Sequence, residues 1–343
     1  MALLTDDVLV VNAGSTSLKL SVVDADDVSR PVASLVDAPA VAAVGHRVVH
    51  GGARFSEPTR IDDEVLAELT ALIELAPLHN APAVDAITAA RKALPDATHV
   101  AVFDTAFHKT LPEVASTYLL PARFRDRDIR RFGFHGLSVQ WVAERVPAAR
   151  LVVCHLGGGS SVTAVRDGRS IDTTMGFTPL EGVPMATRAG SVDPGALLYL
   201  LHHGVTVDEL DDALEHESGL TALAGSGDVA ALERAGTPEA RLALDVYCYR
   251  VAQAIAAMAT ALGGLDALAF TAGVGEHSAA VRAAICSRLA FLGVALDEDA
   301  NRNGAGDTAI GTSSASVRVQ IVIAREDVVV ARAVRGLASR PEA

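Results

Sequence analysis

The chain has 343 residues, of which 50% are hydrophobic and 21% are charged. That length suffices for two domains of ordinary size, and the composition excludes a disordered chain or a coiled coil. Acidic residues outnumber basic ones by 42 to 29, and the formal net charge of -13 argues against non-specific binding to nucleic acid or to an anionic membrane.

The cysteine content and the N-terminus predict a cytoplasmic protein. Cys154, Cys248 and Cys286 lie far apart and form no Cys-x-x-Cys pair, so a zinc ribbon or a redox dithiol is not expected. Residues 1–7 include two aspartates and no basic cluster, which argues against a signal peptide. The most apolar stretch, residues 254–265, is shorter than the roughly 20 residues that a membrane span requires.

Short β-branched runs alternate with helical patterns along the chain, which indicates an α/β architecture. The predicted strands cover residues 8–11, 18–24, 151–154, 267–271 and 317–323, and the predicted helices cover residues 64–75, 139–146, 208–214 and 240–262. Residues 301–316 are rich in Gly, Ser, Thr and Asn, and this composition predicts a surface loop.

One internal repeat suggests that the domain is duplicated. Residues 7–24 consist of a strand, a Gly- and Ser-containing turn and a second strand, and residues 151–167 follow the same plan. The first turn holds Ser15 and Ser17 between Asn12 and Lys19, and the second contains three consecutive glycines. Such turns suit either an ordinary hairpin or a nest of N–H groups for phosphate, and a pair of nests favours polyphosphate. A third Gly-rich junction, residues 271–277, is weaker evidence for a nucleotide.

Five charged or ionisable residues stand where chemistry is common. Arg47 and Arg188 lie in apolar segments, and each requires an anionic partner, which is either a ligand or a buried carboxylate. Asp104 and Glu326 follow apolar runs, and His135 is flanked by glycines and aromatic residues. Catalysis and plain structural roles, such as a helix cap or core packing, both remain open for these three.

Taken together and in order, eight segments resemble the acetokinase family. The matching segments are residues 10–19, 45–52, 76–80, 102–108, 132–136, 175–182, 187–188 and 270–276, within a resemblance that runs from about residue 8 to residue 331. The resemblance implies an α/β fold of duplicated ribonuclease-H-like (actin-like ATPase) domains with a cleft between them. The expected N-terminal domain is 1–103 plus 328–343, and the expected C-terminal domain, which carries the nucleotide site, is 104–327.

The resemblance also implies an activity, namely reversible transfer of the ATP γ-phosphoryl group to acetate, giving acetyl phosphate and ADP. It implies Mg²⁺ or Mn²⁺, a homodimer formed through the C-terminal half, and the following residue roles. Asp104, His135, Arg188 and Arg47 are the implied catalytic residues, Arg47 binds the substrate together with Val49, Leu78 and Pro179, and Asn12 and Glu326 position the metal. Arg188 and His135 would stabilise charge in the transition state.

The implied nucleotide contacts come from three segments and from the first turn. They are Lys19, Ser15, Ser17, His155, Leu156, Gly157, Gly158, Gly159, Asp228, Val229, Ala230, Gly273, Val274, Gly275, Glu276 and His277. The family usually has Asn at the positions of Gly158 and His277 and Arg at that of Ala230. These departures leave another phosphoryl donor open. A propionate or butyrate kinase, and a non-catalytic nucleotide-binding protein on the same fold, are the further alternatives.

Overall fold

The computed structural model describes residues 4–13, 18–75 and 77–338, with side chains for 6–13, 18–74 and 80–337. The chain divides into two compact units. The first comprises Met1–Lys109, Phe134–Trp141 and Arg325–Ala343, and the second comprises Thr110–Gly133 and Val142–Ala324. Relative to the expected division, the first unit also takes residues 104–109, 134–141 and 325–327. The sequence-based domain boundaries stay a prediction.

The strands form two six-stranded sheets, one in each unit. Their bounds are β1 Leu4–Ala13, β2 Leu18–Val23, β3 Ser29–Val32, β4 Val41–Val48, β5 Thr59–Arg60, β6 Thr98–Phe103, β7 Arg150–Leu156, β8 Ser160–Arg166, β9 Arg169–Thr173, β10 Ala267–Thr271, β11 Thr308–Ala309 and β12 Arg318–Ile321.

The two sheets share one topology. The first has the order β3-β2-β1-β4-β6-β5 and the second, read from its other edge, has the order β9-β8-β7-β10-β12-β11. In each sheet, read in these orders, the first three strands pair in antiparallel fashion. The fourth and fifth strands each pair in parallel with the strand before them, and the sixth pairs antiparallel with the fifth. The repeated hairpins β1-β2 and β7-β8 are those that the internal repeat predicted. The duplicated α/β fold is therefore confirmed.

The helices connect and cover these strands. Their bounds are α1 Asp63–Ala71, α2 Pro77–Ala93, α3 Glu113–Ser116, α4 Ala122–Arg125, α5 Gly136–Arg145, α6 Pro194–His202, α7 Val207–Asp212, α8 Gly219–Ala224, α9 Val229–Ala235, α10 Pro238–Leu262, α11 Ala272–His277, α12 Ala279–Ser287, α13 Glu298–Asn303 and α14 Glu326–Ala338. Single 3₁₀ turns occur at Leu35–Asp37, Leu72–Leu75, Ala106–Thr110 and Ala290–Leu292, and a π-helical turn at Ala213–Glu217.

Among the described residues, α10 is long and apolar enough to cross a membrane by length and composition. Its buried residues recur at intervals of three or four, from Ala240 and Ala243 through Tyr247, Val251 and Ile255. These side chains belong to the hydrophobic core that lies against the second sheet. The apolar face is therefore covered by the protein's own core, which is typical of a central helix in an α/β unit and does not indicate a membrane protein.

The prediction of a surface loop over residues 301–316 is wrong for part of that stretch. It contains the end of α13 and the edge strand β11, and Asn301 and Ile310 are buried. Arg282, which is also buried, donates from Nε to Asn301 Oδ1 at 2.8 Å and from Nη2 to the Asn301 carbonyl at 2.7 Å. A buried guanidinium requires such acceptors, and polar composition alone does not distinguish them from loop residues.

All three cysteines are free and buried, and all three belong to the second unit. Burial raises the pKa of Cys248 and of Cys286 to about 12, and it raises that of Cys154 well above its ordinary value. At neutral pH these thiols are protonated and behave as small apolar side chains.

The first unit contains a buried pair of histidines. His46 Nε2 lies 3.0 Å from His99 Nδ1, and His99 Nε2 lies 3.0 Å from the carbonyl oxygen of Leu94. Because the Leu94 carbonyl can only accept, His99 Nε2 carries a proton, and His46 Nε2 then donates to His99 Nδ1. Burial, and after it the neighbouring His99, lowers the pKa of His46 to about 3, so this ring is neutral in the folded protein.

The neutral His46 predicts that the first unit loses stability in mild acid. In the unfolded chain His46 takes up a proton below pH about 6.5, whereas in the fold it does not do so until pH about 3. The stabilisation is thus complete above pH 6.5 and is lost as pH falls towards 3, by on the order of 2 kcal/mol at pH 5. We expect His46→Gln to flatten the dependence of the unfolding free energy on pH between 6.5 and 4.5, measured by urea denaturation.

A matched control for this experiment is the exposed His216, which pairs with Asp212 on the surface. His216→Gln removes an exposed imidazole and thus measures how far a histidine substitution on the surface changes the slope. Equal slopes for the parent and His46→Gln would contradict the prediction.

Candidate active site

In the first unit, three predicted site residues stand at the carboxyl ends of adjacent parallel strands. Asn12 and Arg47 are register partners in β1 and β4, and β4 pairs in parallel with β6, which Asp104 follows directly. The carboxyl ends of parallel strands meet at one edge of a sheet, which is the usual place for a binding site in α/β proteins. The sheet topology therefore brings these side chains together.

The Arg47 guanidinium is the centre of the cluster. It makes a bidentate pair with Asp104, from Nε to Oδ1 at 3.0 Å and from Nη2 to Oδ2 at 2.5 Å. Nη1 donates to Asn12 Oδ1 at 3.0 Å, and Glu326 Oε2 lies 3.5 Å from Nε. Asp104 is fully buried and Arg47 is nearly so. This geometry contains the buried ion pair that the sequence left open as an alternative to an anion site.

The charges of this cluster depend on one another. Burial raises the pKa of Asp104 above its ordinary value, and the Arg47 guanidinium offsets part of that rise. For Arg47, burial acts to lower the pKa, but Asp104 and Glu326 outweigh it and keep the guanidinium charged. A guanidinium fixed by a buried carboxylate keeps its orientation without reorganising when an anion arrives.

The predicted metal residues fit a magnesium ion by their chemistry. Asn12 and Glu326 offer oxygen atoms, which Mg²⁺ prefers, and both lie against Arg47. Among the described residues, no group of three or more His, Cys, Asp or Glu side chains forms an all-protein metal cage. Such a small ligand set suits Mg²⁺, since that ion is usually held by one or two protein oxygens together with water and substrate phosphates.

Other predicted residues of the first unit are placed as follows. Lys19 is exposed and is the register partner of Asn12 across the β1-β2 hairpin. Ser15 and Ser17 lie outside the described residues, and so does the side chain of Leu78, whose backbone belongs to α2. Val49 is buried just after β4.

His135 adopts a left-handed backbone conformation with φ of 59°. The next N–H, that of Gly136, donates to the Asp104 carbonyl oxygen at 2.9 Å, and a Cβ at Gly136 would lie 2.1 Å from that oxygen. Only glycine allows this close approach. The Phe-Gly-Phe-His-Gly segment is therefore fixed against the chain at Asp104.

In the second unit, Arg188 and Pro179 are in contact. Arg188 Nη1 donates to the Pro179 carbonyl oxygen at 3.1 Å. Burial lowers the pKa of Arg188, and attraction to Glu215 opposes that change. A partly buried guanidinium that donates to a neutral carbonyl group keeps further N–H groups with which to receive an anion.

A second feature of this unit is a cavity of about 350 Å³ between the second sheet's Gly-rich turn, α9 and α11. Of the residues predicted for nucleotide binding, those that line it are Gly157, Gly158, Asp228, Val229, Ala230, Gly273, Val274 and His277. Gly227, Glu233 and Ser278 also line it, and sequence reasoning missed them. For Glu233 the sequence does carry a signal. It lies four positions after Val229 on α9, so both side chains lie on the same face of that helix.

Five other residues of the second unit that were predicted for nucleotide binding do not line this cavity and have structural contacts. Leu156 and Gly275 are buried, and His155 is nearly so at the end of β7. Gly159 accepts from the Gly157 N–H at 3.0 Å, which closes the turn. Glu276 Oε1 accepts from the Ala272 and Ala324 N–H groups at 2.8 and 2.9 Å. Their contact with a nucleotide stays a prediction.

A family model described as the acetokinase family matches residues 33–332. Among curated relatives, acetate kinase of Nostoc punctiforme is 46% identical over 302 residues, which cover 84% of this chain and 75% of the relative. Acetate kinase of Gloeobacter violaceus is 47% identical over 312 residues, covering 87% of this chain and 77% of the relative.

Solved structures agree with this assignment of the fold. A propionate kinase from Francisella tularensis is 32% identical, with a TM-score of 0.90 over 97% of this chain and 100% of that chain. Acetate kinase of Porphyromonas gingivalis is 30% identical, with a TM-score of 0.86 over 98% of this chain and 100% of that chain. The resemblance that the sequence segments indicated is therefore confirmed.

The buried Arg47–Asp104 pair predicts a large cost for removing one partner. Asp104→Ala leaves the Arg47 charge buried with fewer acceptors, and we expect it to lower the unfolding free energy by about 3 kcal/mol. Chemical denaturation of the parent and the variant measures this difference.

The control is the Arg91–Asp63 pair of the same unit, in which the Asp63 side chain is 95% exposed. We expect Asp63→Ala to cost less than about 1 kcal/mol. Equal losses for the two variants would contradict the electrostatic role assigned to the buried pair.

Proposed function

The chain belongs to the acetokinase family, whose members are phosphotransferases with a carboxyl group as acceptor, and we propose that it transfers the γ-phosphoryl group of ATP reversibly to acetate. The products are acetyl phosphate and ADP. The observation that carries the proposal is the buried Arg47 guanidinium, held by Asp104 and Asn12 and adjacent to Glu326. An oriented cation at the edge of a parallel sheet is suited to bind a carboxylate.

In the proposed reaction Arg47 binds the acetate carboxylate, and the family resemblance assigns Val49, Leu78 and Pro179 to the methyl group. An acetate oxygen attacks the γ-phosphorus, the bond to the β–γ bridging oxygen breaks, and ADP leaves with that electron pair. Acetate is already an anion, so no strong general base is required. Asp104 keeps the Arg47 fork in place during this step.

The main requirement is neutralisation of charge, because a carboxylate must approach a polyphosphate. Arg47, His135 and Arg188 are proposed to stabilise the equatorial oxygens of the transferring group. A divalent metal, proposed as Mg²⁺ or Mn²⁺ near Asn12 and Glu326, supplies further charge neutralisation when bound. Each such interaction contributes on the order of 3 kcal/mol in the transition state.

The nucleotide is proposed to occupy the cavity of the second unit. Its volume of about 350 Å³ accommodates a nucleoside, and Gly157 and Gly158 present backbone to it. Lys19, with Ser15 and Ser17 of the same turn, is proposed to contact the phosphates. His155, Leu156, Gly159, Gly275 and Glu276 are proposed to contribute through the backbone or through the elements they hold.

Two observations favour further candidates for donor and acceptor. A Cβ at Gly158 would meet no atom within 4 Å, so this side of the cavity is open at the position where the resemblance implies an asparagine. That openness favours tests of other donors, such as GTP or pyrophosphate. The Francisella tularensis structure is described as a propionate kinase, and one methylene changes discrimination only about 10- to 200-fold. Propionate and butyrate are therefore candidate acceptors.

The proposal is tested by trapping the acyl phosphate with hydroxylamine, using acetate, propionate or butyrate with ATP, GTP or pyrophosphate and Mg²⁺. We expect the highest kcat/KM with acetate and ATP. Arg188→Ala is expected to keep its circular dichroism spectrum and Tm while kcat falls about 10²- to 10³-fold, because it removes a donor to the transition state.

The matched control is Arg302→Ala, which removes an exposed arginine of the same unit that pairs with Asp299. It is expected to retain the parent kcat. No acyl phosphate with any donor would favour a non-catalytic nucleotide-binding protein, and a folded Arg188→Ala with nearly the parent kcat would refute the role of Arg188.

A homodimer is proposed on the basis of α6. This helix is apolar yet exposed, with Leu198 56%, Tyr199 61% and Leu200 40% accessible. An apolar surface of this kind is typical of a protein interface. The expected second copy of the chain would cover it. A cytoplasmic location is proposed from the three free thiols.

The dimer proposal predicts that Leu198→Glu yields monomers at micromolar concentration, because a carboxylate would be buried in the interface. Sedimentation velocity measures the mass of the parent and the variant. Val36→Glu is the control, since Val36 is 92% exposed and lies in the other unit. A monomeric parent, or dimeric Leu198→Glu, would contradict the prediction.

A further inference from the structure

Arg131 holds the beginning of the segment that leads from β9 to α6, residues 174–193. Its Nη1 lies 3.0 Å from the Thr173 carbonyl oxygen, 2.9 Å from that of Thr174 and 3.1 Å from that of Met175. Three successive carbonyl groups thus converge on one nitrogen. The side chain is largely buried, with 16% of it exposed, so water competes little for these bonds.

The same guanidinium also holds a later point of this segment. Nη2 donates to Glu181 Oε1 at 2.7 Å, and the hydroxyl of Tyr118 donates to Glu181 Oε2. The Tyr118 oxygen in turn accepts the N–H of Phe177 at 3.0 Å. Burial, followed by the hydrogen bond to Glu181, raises the pKa of Tyr118, which keeps its hydroxyl proton available to Glu181.

The chain passes this cluster closely at Gly176. A Cβ there would lie 1.8 Å from Glu181 Oε2 and 2.1 Å from the Tyr118 oxygen. The Gly176 carbonyl accepts from the N–H of Phe132 at 3.0 Å, next to Arg131 in sequence. The side chains of Arg131, Glu181 and Tyr118 therefore fix this part of the backbone in one position.

Glu181 is separated from Pro179 by one residue, and the Pro179 carbonyl accepts from Arg188 Nη1 at 3.1 Å. Beyond Glu181, the Gly182 carbonyl accepts the Ser191 N–H at 2.8 Å, and the Gly182 N–H donates to Ser191 Oγ at 3.3 Å. Arg188 is thereby bonded to Pro179, two positions before Glu181, and Ser191 is bonded to Gly182, which directly follows Glu181. A displacement of Glu181 would move Pro179 and with it the acceptor of Arg188.

We propose that Arg131 is a positioning residue for Arg188, acting through Glu181 and the Pro179 carbonyl. The inference rests on the proposed function, in which Arg188 stabilises the transferring phosphoryl group. An arginine is required because its planar fork serves the carbonyl groups and the carboxylate at once, whereas a lysine is a single point charge. A shift of the order of 1 Å in a catalytic group costs up to about 10² in rate.

The test measures kcat and KM for acetate and for ATP in Arg131→Lys and Glu181→Gln, with Tm as a check on folding. We expect kcat to fall at least about tenfold in each, with the KM for ATP within about threefold of the parent, whereas the KM for acetate rises as well because Pro179 is proposed to contact the methyl group. A Tyr118→Phe variant keeps the Arg131–Glu181 pair, and its kcat is expected to fall less than that of Arg131→Lys or Glu181→Gln. A purely structural role would lower Tm and leave kcat per folded molecule unchanged.

Two further variants separate this inference from the proposed function. In an Arg188→Ala background, Arg131→Lys is expected to lower kcat by less than about twofold more, because the residue through which it acts is gone. Arg150→Lys is the matched control, since Arg150 pairs with Asp266 in the same unit and away from the segment, and it is expected to retain the parent kcat.

A kcat for Arg131→Lys within threefold of the parent, or an equal fall in both backgrounds, would overturn the positioning role. Parent-like kcat in Arg188→Ala itself would instead refute the function proposed for Arg188, and the two failures are thus distinguishable.

Discussion

The buried guanidinium of Arg47 is the constraint on which the first unit's site depends. A charge taken out of water must be surrounded by acceptors, and Asp104, Asn12 and Glu326 provide them at the end of three neighbouring elements. The order of strands β1, β4 and β6 brings these residues to one edge. The fold and the electrostatics of the site are therefore two aspects of one arrangement.

The duplicated sheets carry different chemistry at corresponding places. At the carboxyl ends of β1 and β4 the first unit has the amide side chain of Asn12 and the charged side chain of Arg47, whereas after β7 the second unit has glycines and a cavity. The residues that line this cavity, all within the described ranges, include Asp228 and Glu233 but no Lys or Arg. The net charge of -13 describes the chain as a whole. The arginines proposed to bind anions, Arg47 and Arg188, are local exceptions to this acidic average.

Local patterns in the sequence were sufficient for the hairpins and for α10, because β-branched runs and apolar spacing are set by residues close in the chain. They failed at residues 301–316, where Asn301 is buried by Arg282, a residue on another helix. The Arg47–Asp104 pair joins residues 57 positions apart, so residue spacing could not identify Asp104 as the partner of Arg47. The roles of the site residues came from the resemblance. Arg131 and Glu181 received no role, because neither a periodicity nor a motif marks a bond across 50 positions.

The distribution of thiols has a practical consequence for studying this protein. All three cysteines lie buried in the second unit and are protonated at neutral pH, so alkylating reagents reach them only when that unit opens. The first unit has no cysteine, since the whole sequence contains three. The rate of alkylation therefore reports the opening of one unit separately from the other, without any introduced label.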